Sequence, residues 1–103
     1  MSRLEQLEKL RSADPHDADV LYMLAQEHAK LGDHAKAVES YDACLDVDPA
    51  YHYAYFHKAR SLESLGQIDE MKATLEAGVS RSTEAGDEKA SGELREYLAS
   101  IRD

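Results

Sequence analysis

Two kinds of punctuation recur in this sequence at one interval. Asp14-Pro15 and Asp48-Pro49 stand 34 residues apart, and so do Leu31-Gly32 and Leu65-Gly66. Proline disfavours helix at the residue before it. Glycine readily takes the left-handed conformation that closes a helix C-terminus. Two independent breakers on one period mark a unit that is repeated along the chain. A unit this short cannot bury its apolar face alone, so successive copies must stack.

The stretches between the breakers carry helical periodicity. Leu21, Leu24, Ala25 and His28 fall at the i, i+3, i+4, i+7 spacing of one helix face. After Gly32-Asp33 a second helix is expected from about His34 to Val47, with Ala37, Val38, Tyr41, Cys44 and Leu45 on its stripe. The pattern restarts with Tyr55, Ala59 and Leu62, breaks at Gly66, and resumes through Ile68, Met71, Leu75 and Val79. β-branched residues are few, and both prolines follow an aspartate at a predicted boundary. The chain reads as all-α.

The flanks fit the same grid. Leu4, Leu7 and Leu10 precede Asp14-Pro15 as Val38, Tyr41 and Cys44 precede Asp48-Pro49. At the other end Leu94, Tyr97, Leu98 and Ile101 form a further stripe, backed by Lys89, Glu93, Arg95, Glu96 and Ser100. A polar outer face is what a terminal helix of a stack requires. The expected organisation is one domain: a half repeat over 1–14, full repeats over 17–50 and 51–84, and a capping helix over 87–102. Arg81 to Gly86, rich in small and polar residues, is expected to be the most mobile stretch.

At 103 residues there is room for one modest core. Twelve Lys and Arg stand against 21 Asp and Glu, a formal charge of -9. Such a field repels phosphate backbones and anionic lipid, so no nucleic acid and no membrane is expected, and it favours neutral or basic partners. No apolar run reaches the roughly 20 residues needed to cross a bilayer. Cys44 is the single cysteine, so no internal disulfide can form. The opening residues Met1-Ser2-Arg3-Leu4-Glu5 lack the apolar core of a secretion signal. The expected location is cytoplasmic.

These residues resemble the tetratricopeptide repeat family. The first repeat supplies Leu21, Leu24-Ala25, His28, Gly32-Asp33, Ala37, Tyr41, Cys44 and Pro49. The second supplies Tyr55, Lys58-Ala59, Leu62, Gly66, Met71, Leu75 and Gly78, with Thr83 in place of the closing proline. Lys58 and Met71 also depart from the family pattern. The departures imply that the second helix of that repeat packs on a different neighbour or runs past its usual end into Ser80 to Thr83. The resemblance implies a right-handed α-α superhelix whose first helices line a concave groove. Their outward positions here are Asp19, Tyr22, Gln26, Ala29 and Lys30, then Tyr53, Phe56, Arg60, Glu63 and Ser64. Tyr22, Gln26, Lys30, Tyr53, Phe56 and Arg60 are the candidate groove residues, since aromatics and arginine anchor protein interfaces. A 34-residue shift sets Tyr22 beside Phe56 and Gln26 beside Arg60. A family subtype that grips C-terminal carboxylates with Lys and Asn is not rebuilt here, where Tyr22 and Gln26 hold the corresponding sites.

Other chemistry finds little support. His52 and His57 are five apart, not the same-face spacing of four, and His16 sits in a turn. No CxxC or HExxH occurs, so no metal is expected. His28 is expected to fill an aromatic slot and the other histidines to lie at the surface. The acidic run Asp14 to Asp19 lacks the glycine and distal glutamate of a calcium loop, and Asp17 reads as a helix cap. Cys44 faces a helix interface, as a small buried residue does. With no phosphate loop or nucleophile constellation, neither a cofactor nor catalysis is expected. The expected function is a protein interaction module that takes a peptide or protein segment in the groove. The alternative is a structural unit that self-associates through its exposed repeat ends, as a monomer or weak homodimer.

Overall fold

The computed structural model describes residues 1–101 and contains six helices: α1 (Arg3–Ala13), α2 (Ala18–Lys30), α3 (His34–Val47), α4 (His52–Ser64), α5 (Ile68–Glu84) and α6 (Glu88–Ser100). The all-α expectation holds. Arg102, the last residue assigned to the capping helix, lies outside the described residues, and Asp87 is the cap of α6 rather than its first turn.

The boundaries follow from capping chemistry. Asp17 Oδ1 accepts the backbone N–H groups of Asp19 and Val20, Asp33 accepts from Lys36, and Asp87 accepts from Ala90. Each satisfies donors that a helix N-terminus leaves unpaired. The two Asp-Pro turns are built alike. Asp14 and Asp48 each close the preceding helix through their own N–H, to Leu10 O and Cys44 O. Each carboxylate then accepts the N–H two residues on, at His16 and Ala50. The Gly turns are also alike. Gly32, Gly66 and Gly86 have φ of 83°, 74° and 73°, and the residue after each donates back across the turn to His28, Leu62 and Ser82 O. Only glycine adopts that φ without strain.

Consecutive helices pack as antiparallel hairpins, and alternate helices run parallel. Tyr51, at the start of α4, donates to Asp19 at the start of α2 at 2.8 Å. His52, at the start of α4, meets Asp87 at the start of α6, and Glu63 near the end of α4 meets Tyr97 near the end of α6. The register expected of a stacked repeat is therefore present. Two apolar clusters result: Leu21, Ala25, Ala37, Tyr41, Cys44 and Ala54, then Tyr55, Ala59, Leu62, Met71, Leu75 and Leu94. Ala25 and Ala59 are fully buried where paired helices cross, and their small size permits the close approach.

Three expectations need correction or refinement. Within Arg81 to Gly86, expected to be the most mobile stretch, Arg81 to Glu84 forms the last turn of α5. Ser82 is completely buried there and donates its hydroxyl to Gly78 O at 2.8 Å. With no proline to stop it, α5 continues one turn beyond the length of α3, and Thr83 meets Ser91 of α6 at 3.1 Å. In α1 only Leu7 is buried. Leu4 is half-buried and Leu10 is 51% exposed. Lys58, which replaces the family's leucine, reaches back to Asp42 of α3 at 2.6 Å. Among the described residues no helix is long and apolar enough to cross a membrane.

Candidate binding groove

The parallel helices α2, α4 and α6 bring a row of rings together. Tyr22 of α2 lies 4.8 Å from Tyr51, 6.0 Å from Tyr41 and 5.8 Å from His57, centroid to centroid. Phe56 lies 5.4 Å from His57 and 5.0 Å from Tyr97 of α6. Tyr51, Tyr22, His57, Phe56 and Tyr97 thus touch in succession across three helices. Such tilted and edge contacts suit the ring quadrupoles. Tyr22, His57, Phe56 and Tyr97 are each half-buried, so one side packs on the core and the other is presented outward.

The register differs in detail from the expected one. Tyr22 does not lie directly on Phe56, because His57 stands between them. Gln26 is exposed and donates its amide to Tyr22 Oη at 3.1 Å. Arg60 instead shares a hollow of about 320 Å³ with Lys30, His34, His57, Ser61, Glu63 and Ser64. Tyr53 is 40% exposed, one turn ahead of His57 on α4. All six candidates therefore stand on α2 or α4, but Phe56 and Tyr22 also pack internally. A strict 34-residue shift misses this because neighbouring helices mesh side chains between each other's ridges rather than facing residue to residue.

The electrostatics of this face are uneven. Neither Lys30 nor Arg60 makes an ion pair within 4.0 Å among the described residues. Burial, with Arg60 nearby, holds His57 below its ordinary value, so its imidazole is neutral at neutral pH. Burial and the neighbouring Glu63 push Tyr97 up to about 12. His57 and Tyr97 are thus uncharged at neutral pH, and Lys30 and Arg60 stand together in the hollow beside His57. Beyond Phe56 the character reverses: a second hollow, of about 360 Å³, is lined by Phe56, Glu93, Glu96, Tyr97 and Ser100.

His57 and His52 were both expected at the surface, and both are corrected. His57 sits in the ring row. The His52 side chain is 9% exposed, and its Nδ1 lies 3.2 Å from the Asp87 carboxylate, tying α4 to the cap of α6. His57 immediately follows Phe56, and a helical wheel sends neighbours to different faces, so its sequence position gave little signal. His28 is buried in its aromatic slot as expected. Cys44 is fully buried, and burial pushes its thiol up to about 12. No thiolate is available there at neutral pH.

The tetratricopeptide repeat profile matches residues 18–51 and 52–84. The chain is 35% identical over 68 residues to the Protein SGT1 homolog of Oryza sativa subsp. japonica, covering 66% of this chain but 18% of that protein. A TPR repeat-containing protein of Pseudomonas aeruginosa is 22% identical over 98 residues, covering 95% of this chain and 93% of its own. Among solved structures, a tetratricopeptide repeat domain protein from Salinibacter ruber superposes with a TM-score of 0.77 at 30% identity, over 84% of this chain and 87% of that one. PcrH, solved in complex with the chaperone binding region of PopD, gives a TM-score of 0.85 at 20% identity, over 93% of this chain and 73% of that one.

Proposed function

The chain belongs to the tetratricopeptide repeat family, and from that premise we propose that it holds a segment of a partner polypeptide along its ring row. It acts by binding, not by catalysis. The observation that carries this is the continuity of Tyr22, His57, Phe56 and Tyr97 across three helices, beside two cations that make no ion pair among the described residues. Half-buried aromatics held by packing lose little conformational freedom on binding, which is how interface anchors gain their energy. Arg60 and Lys30 would take an acidic or terminal carboxylate of the segment, and Gln26 would bond its backbone. PcrH, which shares this fold, was solved with a bound region of another protein, which supports the reading without identifying a partner for this chain.

A photo-crosslinking residue at Tyr53 tests it, with the same residue at Glu76 on the exposed side of α5 as control. Adducts from Tyr53 that disappear in Lys30→Glu/Arg60→Glu, with helicity retained, are expected. Equal adducts from both positions would reject the groove.

A further inference from the structure

We infer that the hollow between α4 and α6 receives the cationic side chain, lysine or arginine, of the bound segment. The inference rests on the groove reading and adds the partner's chemistry at one end. Glu93, Glu96, Tyr97 and Ser100 stand at i, i+3, i+4 and i+7 and so share one face of α6. Phe56 reaches them from α4, and its ring and that of Tyr97 lie 5.0 Å apart at 54°. The tilted pair makes an apolar floor, and Ser100 and the two carboxylates line the hollow with it.

Neither Glu93 nor Glu96 makes an ion pair or a side-chain hydrogen bond among the described residues, and no Lys or Arg among them lines the hollow. The Tyr97 hydroxyl is already committed, donating to Glu63 Oε1 at 3.3 Å. An apolar side chain seated here would strip water from two carboxylates and give nothing back, a costly exchange. An acidic one would meet like charge. A lysine or arginine satisfies both halves of the site. Its methylene stem lies on the rings, its head reaches the carboxylates, and the ring faces themselves attract a cation. On the other side of Phe56, Arg60 and Lys30 outnumber Glu63 in their hollow, so the groove is net positive toward α2 and negative toward α6. A segment carrying an acidic group at one end and a basic group at the other is thereby given a direction.

Amide chemical-shift titration tests the pocket with uncharged-backbone pentapeptides, acetylated and amidated, whose central residue is arginine, lysine, norleucine or glutamate. The arginine and lysine peptides should perturb Phe56, Glu93, Glu96, Tyr97 and Ser100, binding about tenfold tighter than norleucine, while glutamate should not bind. Glu93→Gln/Glu96→Gln should remove that preference. Glu8→Gln/Glu39→Gln removes the same charge elsewhere and should keep it, which separates a local site from attraction to an acidic protein. Equal binding of norleucine, shifts spread over the surface, or a preference that survives Glu93→Gln/Glu96→Gln would overturn the inference. The groove reading stands or falls separately, on the adducts from Tyr53.

Discussion

Gly78 and Gly92 both lie inside helices, and their surroundings give them opposite roles. A Cβ on Gly78 would sit 2.8 Å from Tyr55 Cβ and 3.1 Å from Leu94 Cδ1, whereas one on Gly92 would meet nothing within 4 Å. Alanine favours helix over glycine by about 1 kcal/mol. At Gly92 that gain is unopposed, so Gly92→Ala should stabilise by about 0.5–1 kcal/mol. At Gly78 the added methyl must push the stem of Tyr55, which is anchored by its hydroxyl on Pro49 O, and overpacking costs about 1–3 kcal/mol. Gly78→Ala should therefore destabilise despite its better propensity. Urea unfolding of both variants checks the pair, and a stabilised Gly78→Ala would show that α5 and α4 can part freely. His57 offers a second measurement. Its pKa is lowered in the fold, so the unfolded chain takes a proton first as pH falls. The sign is then fixed: stability is full above the ordinary histidine value near 6.5 and declines below it, until the folded state also protonates. His57→Gln should flatten that limb of a pH-stability curve, and an unchanged limb would assign it to another group. Neither behaviour was legible in sequence. Gly78 was visible as a small residue of the repeat, but not its tightness, and His57 was assigned to solvent.

At the scale of elements, what the sequence revealed was what local chemistry dictates. Asp-Pro and Gly turns are written in two or three residues, and the Asp17 cap needs only its own neighbours. What escaped was set by distant contacts. Gly86-Asp87 has the same chemistry as Gly32-Asp33, yet it falls 20 residues after Gly66 rather than 34. It therefore joins α5 to α6, at a point where the earlier repeat carries Asp48-Pro49. The extra turn of α5 exists because no proline stops it and because buried Ser82 can bond its own helix carbonyls. Asp87 then does two jobs, capping α6 through Ala90 and meeting His52 of α4. Both contacts, the backbone N–H first, hold its carboxyl below the ordinary value. The contribution is present above the unfolded-state value and is lost as pH falls through the lower folded one. Asp87→Ala should speed hydrogen exchange of the α6 amides at neutral pH while sparing α2 and α3. As the pH approaches the acid limb, the difference from wild type should shrink. Uniform acceleration in all six helices would mean that α6 is not a separate local unit.

The whole molecule was readable because one period governs both helix spacing and stacking; the groove was readable only as a set of positions. Periodicity places Tyr22, Gln26, Lys30, Tyr53, Phe56 and Arg60 on α2 and α4, but meshing of helices decides which rings touch. The same limit applies to assembly. An unpaired first helix suggested a sticky end built from Leu4, Leu7 and Leu10, and α2 covers Leu7, leaving Leu10 as the exposed leucine of α1. Around it stand Glu5, Gln6, Glu8, Lys9 and Arg11, all exposed. A stable protein interface buries about 1,200–2,000 Å², and a leucine among charges provides little of that. Two copies also carry -9 each, and their repulsion is strongest at low ionic strength. Sedimentation in dilute buffer should therefore give the monomer mass of 11.5 kDa. Weak association, where it occurs, should grow with added salt, because screening removes the repulsion and leaves the apolar contact. Leu10→Glu should abolish that salt-dependent fraction and leave the melting temperature nearly unchanged, since the residue is exposed. A dimer that is firm at low salt and indifferent to Leu10→Glu would place the interface elsewhere. Loss of Tyr53 adducts on dimerisation would then identify the groove itself as the surface that a second copy occupies.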